Sequence, residues 1–162
     1  MFPTTGEPRP GILGALSSHE FLKGIDDRLL TLLVSGAQSF HFVDGEFLGH
    51  AGKAASDFYL IQSGEVSVHA TDERNNLREI CRVTPGEVVG WSWVVSPYRW
   101  QFTCQAVGDV SGIRFNAHWL RGVCDEHPEL GYAILRHLMA VVARRLSATR
   151  FDSKEPTFGA TY

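Results

Sequence analysis

The hydrophobic period of the chain changes twice, and this limits its possible folds more than any other feature. Over residues 39–115 apolar side chains recur nearer every second position than every 3.6. The alternation is carried by FHFVDGEFLGH, DFYLIQSGEVSVHA, REICRVTPGEVVGW and RWQFTCQAVGDVSGIRF. Asp44-Gly45-Glu46, Ser63-Gly64-Glu65 and Pro85-Gly86-Glu87 each put a glycine where a sharp turn can need a positive φ. TDERNNL, residues 71–77, has the polarity of a hairpin tip. Many short strands at this spacing predict an antiparallel β-sandwich or jelly-roll barrel.

On both sides of this block the period is that of a helix. Residues 1–14 hold three prolines and three glycines and are expected to form an irregular arm. In SSHEFLKGIDDRLLTLLVSGA, Ser17 or Ser18 is a candidate cap, Glu20 follows in the first turn, and Leu29, Leu32 and Leu33 recur at helical spacing. The expected arrangement is a short helix over 19–22, a break at Gly24 and a second helix over 26–35, ended by Gly36. After the strands, AHWLRGVCDEHPEL predicts a short helix that stops before Pro128. PELGYAILRHLMAVVARRLSATRF predicts a long one, with its proline in the first turn. Its apolar residues form two stripes: Leu130, Ile134, Leu138 and Val141, and Leu135, Val142, Leu146 and Thr149, the latter joined by Leu138 and Met139. Such a helix must bury two faces. One can lie on the strands. An identical helix of a second chain is the simplest cover for the other, which predicts a homodimer. The expected organisation is an arm over 1–14, one domain over 15–154 (helices 17–36, barrel 39–115, helices 117–153) and a tail over 155–162.

A formal charge of −3 provides no global basic field for nucleic acid or anionic lipid. No apolar run approaches a membrane span, and MFPTTGEPRPG lacks the cationic start and apolar stretch of a signal peptide, so the expected location is the cytoplasm. Cys81, Cys104 and Cys124 are odd in number and widely spaced, which argues against a disulfide framework and against zinc or iron–sulfur ligation. The seven histidines form no short-spaced pair, and no metal site is assigned.

Helix, antiparallel barrel, short helix and long helix, in that order, resemble the cyclic nucleotide-binding domain of the catabolite activator protein and its Crp/Fnr-type relatives. The likeness spans roughly residues 21–151. DFYLIQSGEVSVHA is similar to the family's central hairpin. PGEVVGW…PYRW stands in the place of the phosphate-binding cassette. HPELGYAILRHLMAVVARRLSATR is similar to the family's dimerisation helix.

The resemblance implies a nucleotide site, and residue by residue the match is incomplete. Family cassettes pair a glycine with a glutamate that accepts from the ribose hydroxyl, and a later arginine meets the cyclic phosphate. Here Gly90 holds the glycine position, but Trp91 and then Ser92 follow, with no glutamate. Arg99 stands about where the phosphate arginine belongs, one residue early, and Trp100 replaces the small residue after it. Thr149 matches the long-helix position that reaches the purine. A ribose hydroxyl left without its acceptor would lose roughly 1–3 kcal/mol, about ten- to hundredfold in affinity. Two readings stay open. Gly90, Trp91, Ser92, Arg99, Trp100 and Thr149 line a modified pocket for a cyclic or related nucleotide. Alternatively Trp91, Trp93 and Trp100 are core, and Arg99 pairs with a carboxylate such as Glu87.

Only twelve residues follow Arg150, too few for the DNA-binding domain that transcription factors of this family carry, so DNA binding is not expected. The cluster of Arg144, Arg145, Arg150 and Lys154 suits a charged helix end. No nucleophile–base or paired-carboxylate arrangement stands out, and no enzymatic activity is expected. The expected function is that of a small regulatory protein acting by nucleotide binding, protein contact or both. The alternative is a dedicated accessory subunit of a larger redox enzyme: GWSW…PYRW is similar to the extra small subunit of some NAD-reducing hydrogenases.

Overall fold

A computed structural model describes residues 11–152, with side chains up to residue 147. Three helical pieces come first: α1 (Ile12–Ser18), a 3-10 turn (Glu20–Leu22) and α2 (Asp27–Val34). Six strands follow: β1 (Gln38–Phe42), β2 (Phe47–Gly49), β3 (Asp57–Thr71), β4 (Leu77–Val83), β5 (Val88–Val89) and β6 (Thr103–Asn116). A second 3-10 turn, Trp91–Val94, lies between β5 and β6, and α3 (Ala117–Glu126) and α4 (Pro128–Asp152) close the described chain. All strand pairs are antiparallel, in one six-stranded sheet of order β1-β6-β3-β4, with β2 on β6 and β5 on β3. This is the expected class, mainly β with flanking helices and a long C-terminal helix.

β3 and β6 build the frame. They pair from Asp57↔Asn116 to His69↔Thr103, and the register shifts on either side of Ser63. The sequence suggested a glycine turn there, between two short strands. Ser63-Gly64-Glu65 is instead an irregularity inside one 15-residue strand, because the 14-residue β6 follows it past the shift. Such a bulge bends and twists a strand without ending it. β3 consequently faces β5 with its first half (Tyr59, Leu60) and β4 with its second (Val66 to Thr71).

The first half of β3 is buried on both faces. Tyr59 and Ile61 belong to a core inside the sheet with Phe40, Val66, Val83 and Val110. Phe58 and Leu60 belong to a second core, under the helices, with Leu30, Leu33, Leu120, Leu130, Ile134 and Leu138. That explains why DFYLI is nearly continuous in apolar residues while the second half alternates.

The helices attach through specific ties. Asp26 and Asn116 cap α2 and α3 by accepting from the backbone N–H of Arg28 and Trp119. The Nε2 of His19, a buried side chain, donates to the Ile61 carbonyl at 2.9 Å, and its Nδ1 accepts from Phe21 N. His137 of α4 donates to the Phe21 carbonyl. The start of the chain differs from expectation: α1 begins at Ile12, inside the expected irregular arm. Ser17 and Ser18 sit at its end, donating back to Gly14 and Ala15 carbonyls, so neither caps a start. The rest of the expected arm (1–10) and the tail (155–162) lie outside the described residues. On α4, Leu130, Ile134, Leu138 and Val141 are all buried, whereas Tyr132, Leu135, Met139 and Leu146 are exposed. No helix among the described residues is long and apolar enough to cross a membrane.

Candidate functional site

Residues 90–102 cross from the end of β5 to β6. Gly90 turns the chain in the left-handed region, at φ 92°, and the Trp91–Val94 turn follows. The segment then returns along residues 50–55 and is stitched to them by backbone bonds. Trp100 N donates to Lys53 O at 2.8 Å, Gly52 N to Trp100 O at 2.8 Å and Ala55 N to Tyr98 O at 2.7 Å. This stitching fixes the side chains that follow from it.

The three tryptophans take three places. Trp93 is buried in the core under the helices, 5.6 Å from the Phe58 ring centre. Its Nε1 has no hydrogen-bond partner among the described residues. Trp100 is buried in the core inside the sheet. Its indole lies over Gly49 and against Gly90: a Cβ on Gly49 would fall 2.1 Å from the ring, and one on Gly90 would fall 3.0 Å from it. Trp91 is half-buried at the rim of the helical core.

Trp100 and Trp91 leave little room. The cavity beside Gly90, Trp91, Ser92 and Trp100 measures about 20 Å³, the size of a single water. Next to it, sharing Val68, Trp91, Phe102 and Arg145, is a cavity of about 210 Å³ lined also by Ile80, Cys81, Val142 and Leu146. The expected site residues therefore separate into groups. Gly90, Trp91, Ser92 and Trp100 come together around one small cavity. Arg99 lines neither cavity. It is exposed, and its guanidinium donates to the Gly52 carbonyl at 2.8 Å. The side chain of Thr149 lies outside the described residues.

The alternative pairing of Arg99 with Glu87 does not form either. The Glu87 carboxylate accepts from Thr84 N at 2.7 Å and Thr84 Oγ1 at 3.0 Å, closing the turn that precedes β5.

A different arginine faces the cavities. Arg145 of α4 lines both and donates to the Val88 carbonyl at the foot of the segment. Burial holds its guanidinium below its ordinary pKa, an effect that Cys81 and Glu87 oppose. Sequence reading grouped it with the solvent-facing arginines. The missed signal was spacing: Arg145 continues the buried stripe Leu138–Val141 by one more turn. Arg121 was missed as well. It joins α3 to the segment, donating to the Trp93 carbonyl at 2.8 Å with its guanidinium 4.1 Å over the Tyr98 ring.

The thiols near the site are poor nucleophiles. Burial pushes Cys104 up to about 12 and raises Cys81, so both stay protonated near neutral pH. Among the described residues no group of three histidine, cysteine or carboxylate side chains is placed to hold a metal ion.

The family model "Cyclic nucleotide-binding domain" matches residues 39–127. No curated protein matches the chain by sequence. Among solved structures, a cyclic nucleotide-binding domain from Methylobacillus flagellatus KT superposes with a TM-score of 0.75 at 18% identity, covering 93% of this chain and 85% of that one. The N-terminal domain of a transcriptional regulator from Streptomyces coelicolor A3(2) gives a TM-score of 0.63 at 23% identity, with coverage of 90% and 99%. The regulatory subunit of a cAMP-independent protein kinase A from Trypanosoma brucei, a mutant bound to cAMP in its A site, gives 0.71 at 20% identity, with coverage of 89% and 50%.

Proposed function

The chain belongs to the cyclic nucleotide-binding domain family, and from that premise we propose that it is a non-catalytic regulatory protein that acts by protein contact rather than by sensing a cyclic nucleotide. The observation that carries this reading is the fate of Arg99. The one cassette arginine is spent on the Gly52 carbonyl, outside the cavities, and the space beside Gly90 is closed by Trp100 to about 20 Å³. The segment itself turns no guanidinium fork toward a cyclic phosphate there, and Arg145 of α4, which lines the space, donates to the Val88 carbonyl. Trp91, in the glutamate position, offers a ribose no carboxylate.

The surface supports contact with other chains. Tyr132, Leu135, Met139 and Leu146 are large apolar side chains exposed on α4. We assign them to a homodimer interface. The accessory-subunit reading is a special case, with the partner a larger redox enzyme.

The test is titration with cyclic AMP and cyclic GMP by calorimetry, alongside thermal shift. A ligand at a hundred times its dissociation constant would stabilise the fold by about 2.7 kcal/mol. The expected result is no shift at millimolar nucleotide. Submicromolar binding of either would overturn the reading.

A further inference from the structure

A groove of about 470 Å³ runs between α4 and two turns, the 3-10 turn at Glu20–Leu22 and the turn that joins β4 to β5. It lies apart from the cavities beside Gly90 and contains none of the exposed apolar side chains of α4 given to the dimer. We propose that this groove docks an extended segment of a partner protein in which acidic and basic side chains alternate. The proposal rests on the partner-contact reading above and gives that contact a place and a chemistry.

The two walls carry opposite charge. α4 contributes Arg136, Ala140 and Arg144, which fall in one row along the helix at four-residue spacing. The two arginines stand about 12 Å apart along the axis, with only a methyl group between them. Both are exposed, and among the described residues neither has an ion pair. The turns contribute Glu20 and Glu87. Glu20 pairs with Lys23 at 3.0 Å, but Glu87 accepts from the uncharged Thr84, and its charge has no counter-ion within 4 Å among the described residues. Gly86 lets the two turns meet, since a Cβ there would fall 3.2 Å from the Glu20 Cβ. His137 fastens α4 to the first turn by donating to the Phe21 carbonyl. The walls are therefore fixed relative to one another, and no ion pair closes the groove between them.

An extended strand is the occupant that matches two such walls. Its successive side chains point to opposite sides, and positions i and i+4 lie about 13 Å apart. Carboxylates at i and i+4 meet Arg136 and Arg144. The side chain at i+2 falls over Ala140, where Phe21 and Val141 supply an apolar floor. Cations at i+1 and i+3 meet Glu20 and Glu87. A chain of one sign, a phosphate backbone included, would be attracted by one wall and repelled by the other.

The probe is the blocked peptide acetyl-Glu-Lys-Val-Lys-Glu-amide, titrated into the full chain and followed by amide chemical shifts. In about 20 mM salt it should give saturable shifts at Phe21, Gly86 and Ala140, with half-saturation at about 1 mM or below, and about 0.5 M salt should abolish them. Acetyl-Glu-Glu-Val-Lys-Lys-amide, of the same composition and charge, should bind at least fivefold more weakly. Arg136→Glu and Arg144→Glu, both at exposed positions, should each weaken the first peptide at least fivefold with an unchanged circular dichroism spectrum, and either suffices if the other fails to fold. No saturable shift at 5 mM peptide, equal binding of the two peptides, or binding unchanged in the folded variants would overturn the proposal. So would a change of mass in light scattering on Arg144→Glu, which would give the groove to a second copy of this chain. Each of these leaves the partner-contact reading standing, because that reading falls only to the separate titration with cyclic nucleotides.

Discussion

Trp100 lying across Gly49 is the contact on which the closed cassette depends, and it can be tested through the glycine. Gly49 sits in β2 with no positive φ, so alanine there is strained only by what it meets. It meets the fused edge of the Trp100 indole, with three ring atoms at 2.1, 2.4 and 2.5 Å. Ordinary contact begins more than an ångström further out, and Trp100 is only 6% exposed, so the ring cannot swing into solvent. Overpacking of this kind costs typically 1–3 kcal/mol, and the depth of overlap puts Gly49→Ala at about 3 kcal/mol. For a chain of 162 residues that lowers Tm by roughly 6–12 °C. Trp100→Leu alone should cost about 2–3 kcal/mol, somewhat below the usual loss for Trp→Ala in a core. With the indole gone, Gly49→Ala should be neutral or slightly stabilising, since alanine restricts the unfolded chain. The double-mutant cycle should thus give a coupling of about 2–3 kcal/mol by urea denaturation. If Gly49→Ala costs the same, within about 0.5 kcal/mol, in both backgrounds, Trp100 does not occupy the cassette and the closed site is refuted.

Three further outcomes are expected. Burial holds His19 below its ordinary pKa as a neutral imidazole, while the unfolded chain takes up a proton near pH 6.5. The unfolded state therefore binds more protons below about pH 6.5, and stability should fall as pH drops from there toward the folded-state pKa, then level off. His19→Ala should lower Tm at pH 7.5 and remove this part of the slope; an unchanged slope would place the titrating group elsewhere. Leu146→Glu, at a position 56% exposed, should convert dimer to monomer in light scattering with little change in Tm, whereas Leu138→Glu, 3% exposed, should unfold the chain. A wild type that is monomeric at micromolar concentration would refute the dimer. Arg99→Ala removes one exposed hydrogen bond and should cost less than about 1 kcal/mol in chemical denaturation; a loss of several kcal/mol would mean that it neutralises a buried charge.

The order of elements was legible because local rules and burial agree along most of the chain. Pro128 opens α4, the 72–76 turn closes between β3 and β4, and the stripe Leu130, Ile134, Leu138 and Val141 is the face that packs. Legibility failed where tertiary context reverses a local preference. Gly11 and Gly14 argued against a helix, yet α1 forms because Leu16 is fully buried in the core under the helices. Gly64 has the positive φ of a turn but serves a bulge, since only the partner strand decides whether a strand ends there. The site was harder still. Which arginine faces the cavities depends on how residues 50–55 hold the cassette backbone, a contact between segments far apart in sequence that no spacing rule reports.

The long β3–β6 pairing has a kinetic consequence. Asp57 pairs with Asn116 across a long stretch of chain, and β4, β5 and the cassette all lie inside the loop that this pairing ties off. Joining these distant strands is expected to be the slow step, with the tip of the β3–β4 hairpin forming early and reversibly. Once the two strands have zipped, the doubly covered amides of Leu60 and Ile113 should be among the last to exchange with deuterium. The loop they enclose can then vary its side chains with little effect on the folding rate, so drift in a ligand site would leave the speed of folding almost untouched.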